Sequence, residues 1–338
     1  MKILVIGDRE RTVKYTPEAV FAAHEFRFVS PVASDEEKAA AFPEASVIID
    51  DAVGVVSAEV MDAMPDLKLI HSEGVGFNGV DVKAARERGI DVCNCKAANA
   101  PTVAEQTILL MIGALRDVVA ADMSVREGRQ IIYKESAMVS GSIRELGELT
   151  VGLIGFGDIA REVARRLQPF GSKILYSNRR GPVDNDWGAQ YRDRDALLAE
   201  SDIVSLHLPS NPQTRHLANA EFFAKMKPGS IFVNTARGDI TDSEALIEAI
   251  ASGRVAAAGL DCFEGEPVGA DNIILTLSRE KTVSGTDIPV AEKILMSPHI
   301  GGITGAAFRR SYGMIWDNIE RLGRGEPLER VVNGQTAG

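Results

Sequence analysis

The stretch that most constrains this chain is Val151-Gly152-Leu153-Ile154-Gly155-Phe156-Gly157-Asp158-Ile159-Ala160. A short apolar run, 149–154, has the length and composition of a buried strand. It leads into Gly155-x-Gly157-x-x-Ala160 and then into 161–167, where apolar residues recur at helical spacing. Strand, glycine turn and helix in that order are the context a dinucleotide fingerprint needs. Gly155 lets the chain turn tightly, Gly157 lets backbone approach a pyrophosphate, and Ala160 is small enough for helix and strand to pack closely. The helix start, at Phe156, Asp158 and Ile159, offers N–H groups and a positive dipole end to the phosphates. A plain tight turn between strand and helix is the blander reading, and it leaves the combination unexplained.

Around this stretch the pattern alternates. Strands are expected at 2–6, 25–29, 46–49, 67–71 and 91–93, with helices between, for example at 36–42, 58–64 and 82–88. A long helix is expected from Pro101 to about Val125, opened by a Thr102/Glu105 capping box, followed by a polar connector over 126–148. After the fingerprint come strands at 173–176, 203–206, 230–234, 256–260 and 294–296, and helices at 193–200, 219–226 and 243–252, the last capped by Thr241 and Glu244. A polar stretch covers 268–292, and a closing helix 306–323. Such alternation predicts an α/β protein with doubly wound parallel sheets, and 338 residues suffice for two cores.

The net charge of −11, with no basic run, argues against nucleic acid or an anionic membrane as partner. The opening residues carry too short an apolar run for a secretory signal, and the run at 107–115 is too short to span a bilayer. Three cysteines, Cys93, Cys95 and Cys262, suggest a reducing, cytoplasmic setting without a disulfide framework. Cys93-x-Cys95 lacks the further ligands a metal site needs, so no metal is expected.

A reader of the ribose 2′ position is expected at the end of the strand after the fingerprint helix, where the chain has Ser177-Asn178-Arg179-Arg180 and no carboxylate. A carboxylate would bond the ribose hydroxyls and repel a 2′-phosphate, whereas two guanidinium forks attract one. NADP is therefore expected over NAD; NAD is the alternative if the arginines are a solvated pair and Asn178 alone bonds the ribose.

Three segments follow strands. They are Asn234-Thr235-Ala236-Arg237-Gly238, Gly259 to Pro267 with Glu266, and Ser297-Pro298-His299-Ile300-Gly301-Gly302. In open α/β sheets ligands lie beyond the carboxyl ends of strands. Arg237 is suited to grip a carboxylate and polarise a carbonyl, and Glu266 to raise the pKa of His299 as proton donor.

With these motifs, and with His71-Ser72-Glu73-Gly74-Val75-Gly76, Asn99-x-x-Thr102-Val103-Ala104-Glu105, Leu206-His207-Leu208-Pro209 and Val332-Asn333, the chain resembles the D-isomer-specific 2-hydroxyacid dehydrogenases over nearly its whole length. The family includes phosphoglycerate dehydrogenases and glyoxylate/hydroxypyruvate reductases. The resemblance implies a Rossmann cofactor domain, 100–299, inserted in a flavodoxin-like substrate domain made of 1–99 and 300–338, with the substrate in the cleft. It implies catalytic Arg237, Glu266 and His299, and substrate carboxylate contacts from Gly74, Val75 and Gly76. Cofactor contacts would come from Thr102, Gly155, Phe156, Gly157, Asp158, Ile159, Asn178, Arg179, Arg180, His207, Pro209, Thr235, Ala236, Asp261 and Gly301, with Asp261 holding the carboxamide. The arm from Thr102 to about 148 would make a homodimer.

The expected activity is hydride transfer between a nicotinamide cofactor and a small D-2-hydroxy or 2-keto acid, in a glyoxylate/hydroxypyruvate-type reductase. The alternatives are an NAD-linked phosphoglycerate dehydrogenase, or a dinucleotide-sensing binding protein on the same fold. A formate enzyme would carry Gln in place of Glu266. Two departures stand out: 268–292 is longer than usual for the family, and the chain ends soon after Asn333, without a regulatory extension. Residues 51–55, Phe77, and Arg309 or Arg310 from the closing helix are expected to bear on the substrate side chain.

Overall fold

The computed structural model describes residues 1–51 and 54–334. Ala52 and Val53, part of the expected 51–55 pocket, and the last four residues of the expected 300–338 segment lie outside the described residues. The chain forms two compact units, one of Met1–Asn99 with the chain from Ile303 on, the other of Ala100–Gly302.

In the first unit β1 (Lys2–Ile6), β2 (Glu25–Val29), β3 (Val47–Asp50), β4 (Leu69–Ser72) and β5 (Asp91–Cys93) form a parallel sheet in the order β2-β1-β3-β4-β5. This is the flavodoxin-like order, which places the switch point between β1 and β3. Strands β1, β3 and β4 are buried on both faces, as a sheet covered on both sides requires. One face packs on Tyr312, Ile315, Trp316 and Ile319 of the closing helix Gly305–Arg324. The other packs on Val60, Met61, Ala84 and Ala85. Between β1 and β2, where the alternation predicts helix without bounds, lie two short helices, Arg9–Tyr15 and Glu18–Ala23.

The second unit holds a seven-stranded parallel sheet. Its strands are β6 (Thr150–Ile154), β7 (Lys173–Ser177), β8 (Gln190–Tyr191), β9 (Ile203–Leu206), β10 (Ser230–Asn234), β11 (Val255–Leu260) and β12 (Ile294–Met296), in the order β12-β11-β10-β9-β6-β7-β8. Counted within the unit this is the Rossmann order 3-2-1-4-5-6, with β12 added beyond the sixth. Six of these strands are those expected; β8, two residues long, had no periodicity to announce it.

Several local expectations are corrected. The long helix is two, Ala100–Leu115 and Val118–Arg126, because Asp117 adopts a left-handed backbone at φ 47° and ion-pairs with Lys293 at 2.9 Å. The connector contains a helix, Gln130–Ser140, bounded by Gly128 and by Gly141, both at positive φ. The 268–292 stretch is packed structure: Ile273–Glu280 is a helix capped by Asn272, and Ile274 and Val290 are buried in the core of this unit.

Neither expected capping box forms. Helix Ala100–Leu115 starts two residues before Thr102, and Glu105 instead faces Arg166 at 3.4 Å in an exposed pair that contributes about 1 kcal/mol at most. Asp242, not Thr241, caps Ser243–Ala251. No helix among the described residues is long and apolar enough to cross a membrane.

Candidate active site

Because β10, β11 and β12 are adjacent and parallel, their carboxyl ends emerge along one edge of the sheet. The three expected segments leave from that edge. Asn234 shapes the first: its Oδ1 accepts the Ala236 N–H at 2.9 Å, and its Nδ2 donates to Arg237 O at 2.9 Å and Thr241 Oγ1 at 3.1 Å. Gly238 fixes this segment against the second, since a Cβ there would lie 1.8 Å from Phe263 O. The Glu266 carboxylate spans the second and third. Its Oε1 accepts the Phe263 N–H at 2.6 Å, and its Oε2 accepts His299 Nδ1 at 2.7 Å.

The electrostatics follow from that geometry. The His299 imidazole is pushed up to about 10 by the Cys262 sulfur and the Glu266 carboxylate, against the pull of partial burial. Burial pushes the Cys262 thiol up as well, so the thiol stays neutral and Glu266 supplies the charge that holds the proton. Partial burial works against ionising Glu266, but His299, the Phe263 N–H and the charge of Arg237 together hold its carboxyl below the usual range.

Donor atoms of Cys262, Glu266 and His299 lie within 4.8 Å of one another, compact enough for a metal ion. The 2.7 Å hydrogen bond between His299 and Glu266 leaves no space for an ion between those two atoms. Arg237 is exposed, bonds the Ala236 carbonyl at 2.6 Å, and makes no ion pair among the described residues. Its charge is therefore available to a ligand, contrary to the blander reading of an arginine after a strand.

Asp261 is the hub of the third segment. Its Oδ1 accepts Ser297 Oγ at 2.6 Å and the Ile300 N–H at 3.0 Å, and its Oδ2 accepts the Gly301 N–H at 2.8 Å. These bonds close the loop on both sides of His299, which sits at φ 53° in the left-handed region. Oδ1 thus accepts two hydrogen bonds and Oδ2 one. Gln106 braces the same loop through Ser297 Oγ at 2.8 Å. Ser297, Gln106 and Asn234 were missed in the sequence. An Asn ending a strand ahead of a turn was the available signal for Asn234; Gln106, far away in the chain, had none.

The residues expected to hold the dinucleotide divide by position. Gly155 has φ 91°, and a Cβ on it would lie 2.4 Å from His207 O. Only glycine fits there. A Cβ on Gly157 would meet open space, so at this cap of helix Asp158–Leu167 a ligand can approach the backbone. Ala160 is fully buried against the core. The Phe156 ring points inward, stacked on Tyr176 at 4.0 Å, and Ile159 packs on the same core, so these two offer backbone only. Asp158 is exposed at the first turn.

Burial holds the His207 imidazole well below its ordinary pKa, and Ser205 Oγ lies 3.0 Å from its Nε2. Pro209 is exposed just after it. Arg179 and Arg180 are exposed and make no ion pair among the described residues, while Asn178 Oδ1 accepts the Arg180 N–H at 2.9 Å. Thr102, Thr235, Ala236 and Gly301 are buried, and Thr235 bonds Thr107 at 2.8 Å. The glycine cradle and the unpaired arginines fit a dinucleotide. In the first unit, Gly74, Val75 and Gly76 form the half-buried loop after β4.

Fold and cradle define a dinucleotide-binding α/β protein. The particular family follows from sequence: residues 108–301 match the D-isomer specific 2-hydroxyacid dehydrogenase, NAD binding domain, and the chain belongs to the D-isomer specific 2-hydroxyacid dehydrogenase family. It is 41% identical over 268 residues to a hydroxypyruvate reductase of Thermotoga maritima, covering 79% of this chain and 81% of that one. It is 36% identical to a glyoxylate reductase of Korarchaeum cryptofilum, covering 82% and 80%. The crystal structure of a glyoxylate reductase from Paecilomyes thermophila superposes with a TM-score of 0.80 at 30% identity, covering 99% of each chain.

Proposed function

We propose that this chain is a reductase of small 2-keto acids of the glyoxylate and hydroxypyruvate type, using NADPH in preference to NADH. The observation that carries the reaction is the His299–Glu266 pair beside an unpaired Arg237. The names of the Thermotoga and Korarchaeum relatives, a hydroxypyruvate reductase and a glyoxylate reductase, support the substrate class.

When bound, the nicotinamide cofactor supplies the hydride to one face of the carbonyl carbon. The chain's own residues do the rest. Glu266 keeps His299 protonated through Nδ1, leaving Nε2 to hand a proton to the carbonyl oxygen as its negative charge develops. Arg237 offers a planar fork to the substrate and stabilises the same charge. Asp261 holds the loop of His299 and has an acceptor to spare for the carboxamide. The Gly74-Val75-Gly76 loop takes the substrate carboxylate on main-chain N–H groups. The test is turnover of glyoxylate and hydroxypyruvate followed at the nicotinamide absorbance; no oxidation of NADPH or NADH with either acid overturns the reading.

The preference for NADPH rests on Arg179 and Arg180, exposed just after β7 and without carboxylate partners among the described residues. Arg179→Ala is expected to raise KM for NADPH about tenfold to a hundredfold and leave KM for NADH within about twofold. An equal effect on both cofactors removes the 2′-phosphate from the argument.

Helices Val118–Arg126 and Gln130–Ser140 expose Val125, Ile131, Ile132, Met138 and Val139, the last at 90%. An apolar face of this kind suits a second copy of the chain. Ile132→Glu with Val139→Glu is expected to turn a dimer into a monomer in sedimentation velocity; a wild-type monomer removes the assignment. The three buried, unpaired thiols suit a reducing cytoplasm, which cell fractionation checks.

A further inference from the structure

We infer that Asn94 is a positioning residue for the substrate carboxylate, acting by fixing the Val75–Gly76 peptide so that the Gly76 N–H is presented to the ligand. The inference rests on the reading above, that Gly74-Val75-Gly76 receives the carboxylate.

The loop leaves the carboxyl end of β4, and each of its three carbonyl oxygens is engaged from within the same unit. Gly74 O accepts the Cys95 N–H at 2.8 Å. Val75 O accepts Asn94 Nδ2 at 2.8 Å. Gly76 O accepts Ser72 Oγ at 2.5 Å, and that hydroxyl also accepts the Gly74 N–H at 3.3 Å. In a trans peptide the N–H points opposite to the carbonyl. Holding the Gly74, Val75 and Gly76 carbonyls therefore turns the N–H groups of Val75, Gly76 and Phe77 the other way. None of these three N–H groups meets an acceptor among the described residues. Successive unpaired N–H groups on one turn make a concavity for an anion.

Of the three carbonyl holders, Asn94 is the only side chain from outside the segment Ser72–Gly76, and it is buried. Its own position is fixed, because its N–H reaches Arg330 O at 3.4 Å and Asn333 clamps Val92 and Ile90 next door at 2.8 Å each. The other flank is fixed as well. Glu73 is bound by Arg11, at 2.5 Å, and by the Tyr312 hydroxyl. A loop so braced presents its N–H groups without first being ordered, which is how preorganised contacts gain affinity.

The side-chain chemistry makes the claim testable. An aspartate at this position has no donor for Val75 O and sets a charge against it. The probe is oxamate, a carboxylate that mimics a 2-keto acid and is not reduced, titrated by calorimetry into wild type, Asn94→Ala and Asn94→Asp. Steady-state kinetics with glyoxylate and NADPH binding are measured beside it. Asn94→Ala is expected to weaken oxamate binding and raise KM for glyoxylate together, about tenfold, the effect of one misplaced hydrogen bond. Asn94→Asp is expected to weaken both further. In both variants kcat stays within about threefold and NADPH affinity is unchanged.

Oxamate affinity that neither variant alters overturns the inference, whatever the turnover. So does a parallel fall of kcat, oxamate affinity and NADPH affinity, which marks general damage to the fold. Absence of oxamate binding in the wild type also overturns it. Wild type that binds oxamate with the expected dependence on Asn94, but reduces no 2-keto acid, keeps the inference and rejects the proposed reaction.

Discussion

His299→Ala is expected to lower kcat for glyoxylate reduction about 10²- to 10⁴-fold, the span attributable to one positioned general acid, while NADPH binds as before. The pH profile is the sharper measurement. With the imidazole held at about 10, the donor form persists across the neutral range, so reduction stays level until pH approaches that value and then falls. Oxidation of the 2-hydroxy acid needs the neutral ring and rises over the same interval. Glu266→Gln removes the charge that stabilises the imidazolium, so the basic limb of reduction moves down toward the ordinary imidazole range. A limb that stays in place in Glu266→Gln separates the carboxylate from the titration and leaves the pair without its assigned role. A kcat unaltered in His299→Ala rejects the proton donor outright.

Arg237→Ala is expected to cost about 10²- to 10³-fold in kcat/KM, comparable to removing a preorganised donor to a developing oxyanion. Arg237→Lys is expected to recover little, because an ammonium offers a point charge in place of a planar fork. The exposed, unpaired state of Arg237 sharpens the reading. A guanidinium that stabilised the fold through an ion pair would show its loss in the melting temperature, and here the melting temperature is expected to hold. Near-complete recovery by lysine shows that charge alone is needed; full activity in the alanine variant removes Arg237 from the reaction.

Much of this was legible in the sequence because it is local. The glycine turn at 155–160 is written in consecutive residues, and the steric reason for Gly155 is a positive φ that a sequence pattern can announce. Arg237, Glu266 and His299 could be placed at strand ends because each follows a short apolar run. What escaped depends on partners far away in the chain. The break at Asp117 is tied to Lys293, the bracing of Ser297 to Gln106, and the burial of Ile274 to a neighbouring helix. The apolar residues of Gln130–Ser140 face outward, so the usual pairing of periodicity with burial does not hold and the helix read as a connector.

The closing helix Gly305–Arg324 covers strands that precede the second unit in the chain: Ile3, Val5, Val47 and Ile49 are buried with Tyr312, Ile315, Trp316 and Ile319. During synthesis those strands must wait for the closing helix, which follows the whole of the second unit in the chain, before that face is sealed. The second unit, continuous from Ala100 to Gly302, is complete earlier. A unit whose apolar face is closed by a segment so distant in the chain leaves that face uncovered while the intervening residues are made, and exposed apolar surface of this kind is what aggregation exploits.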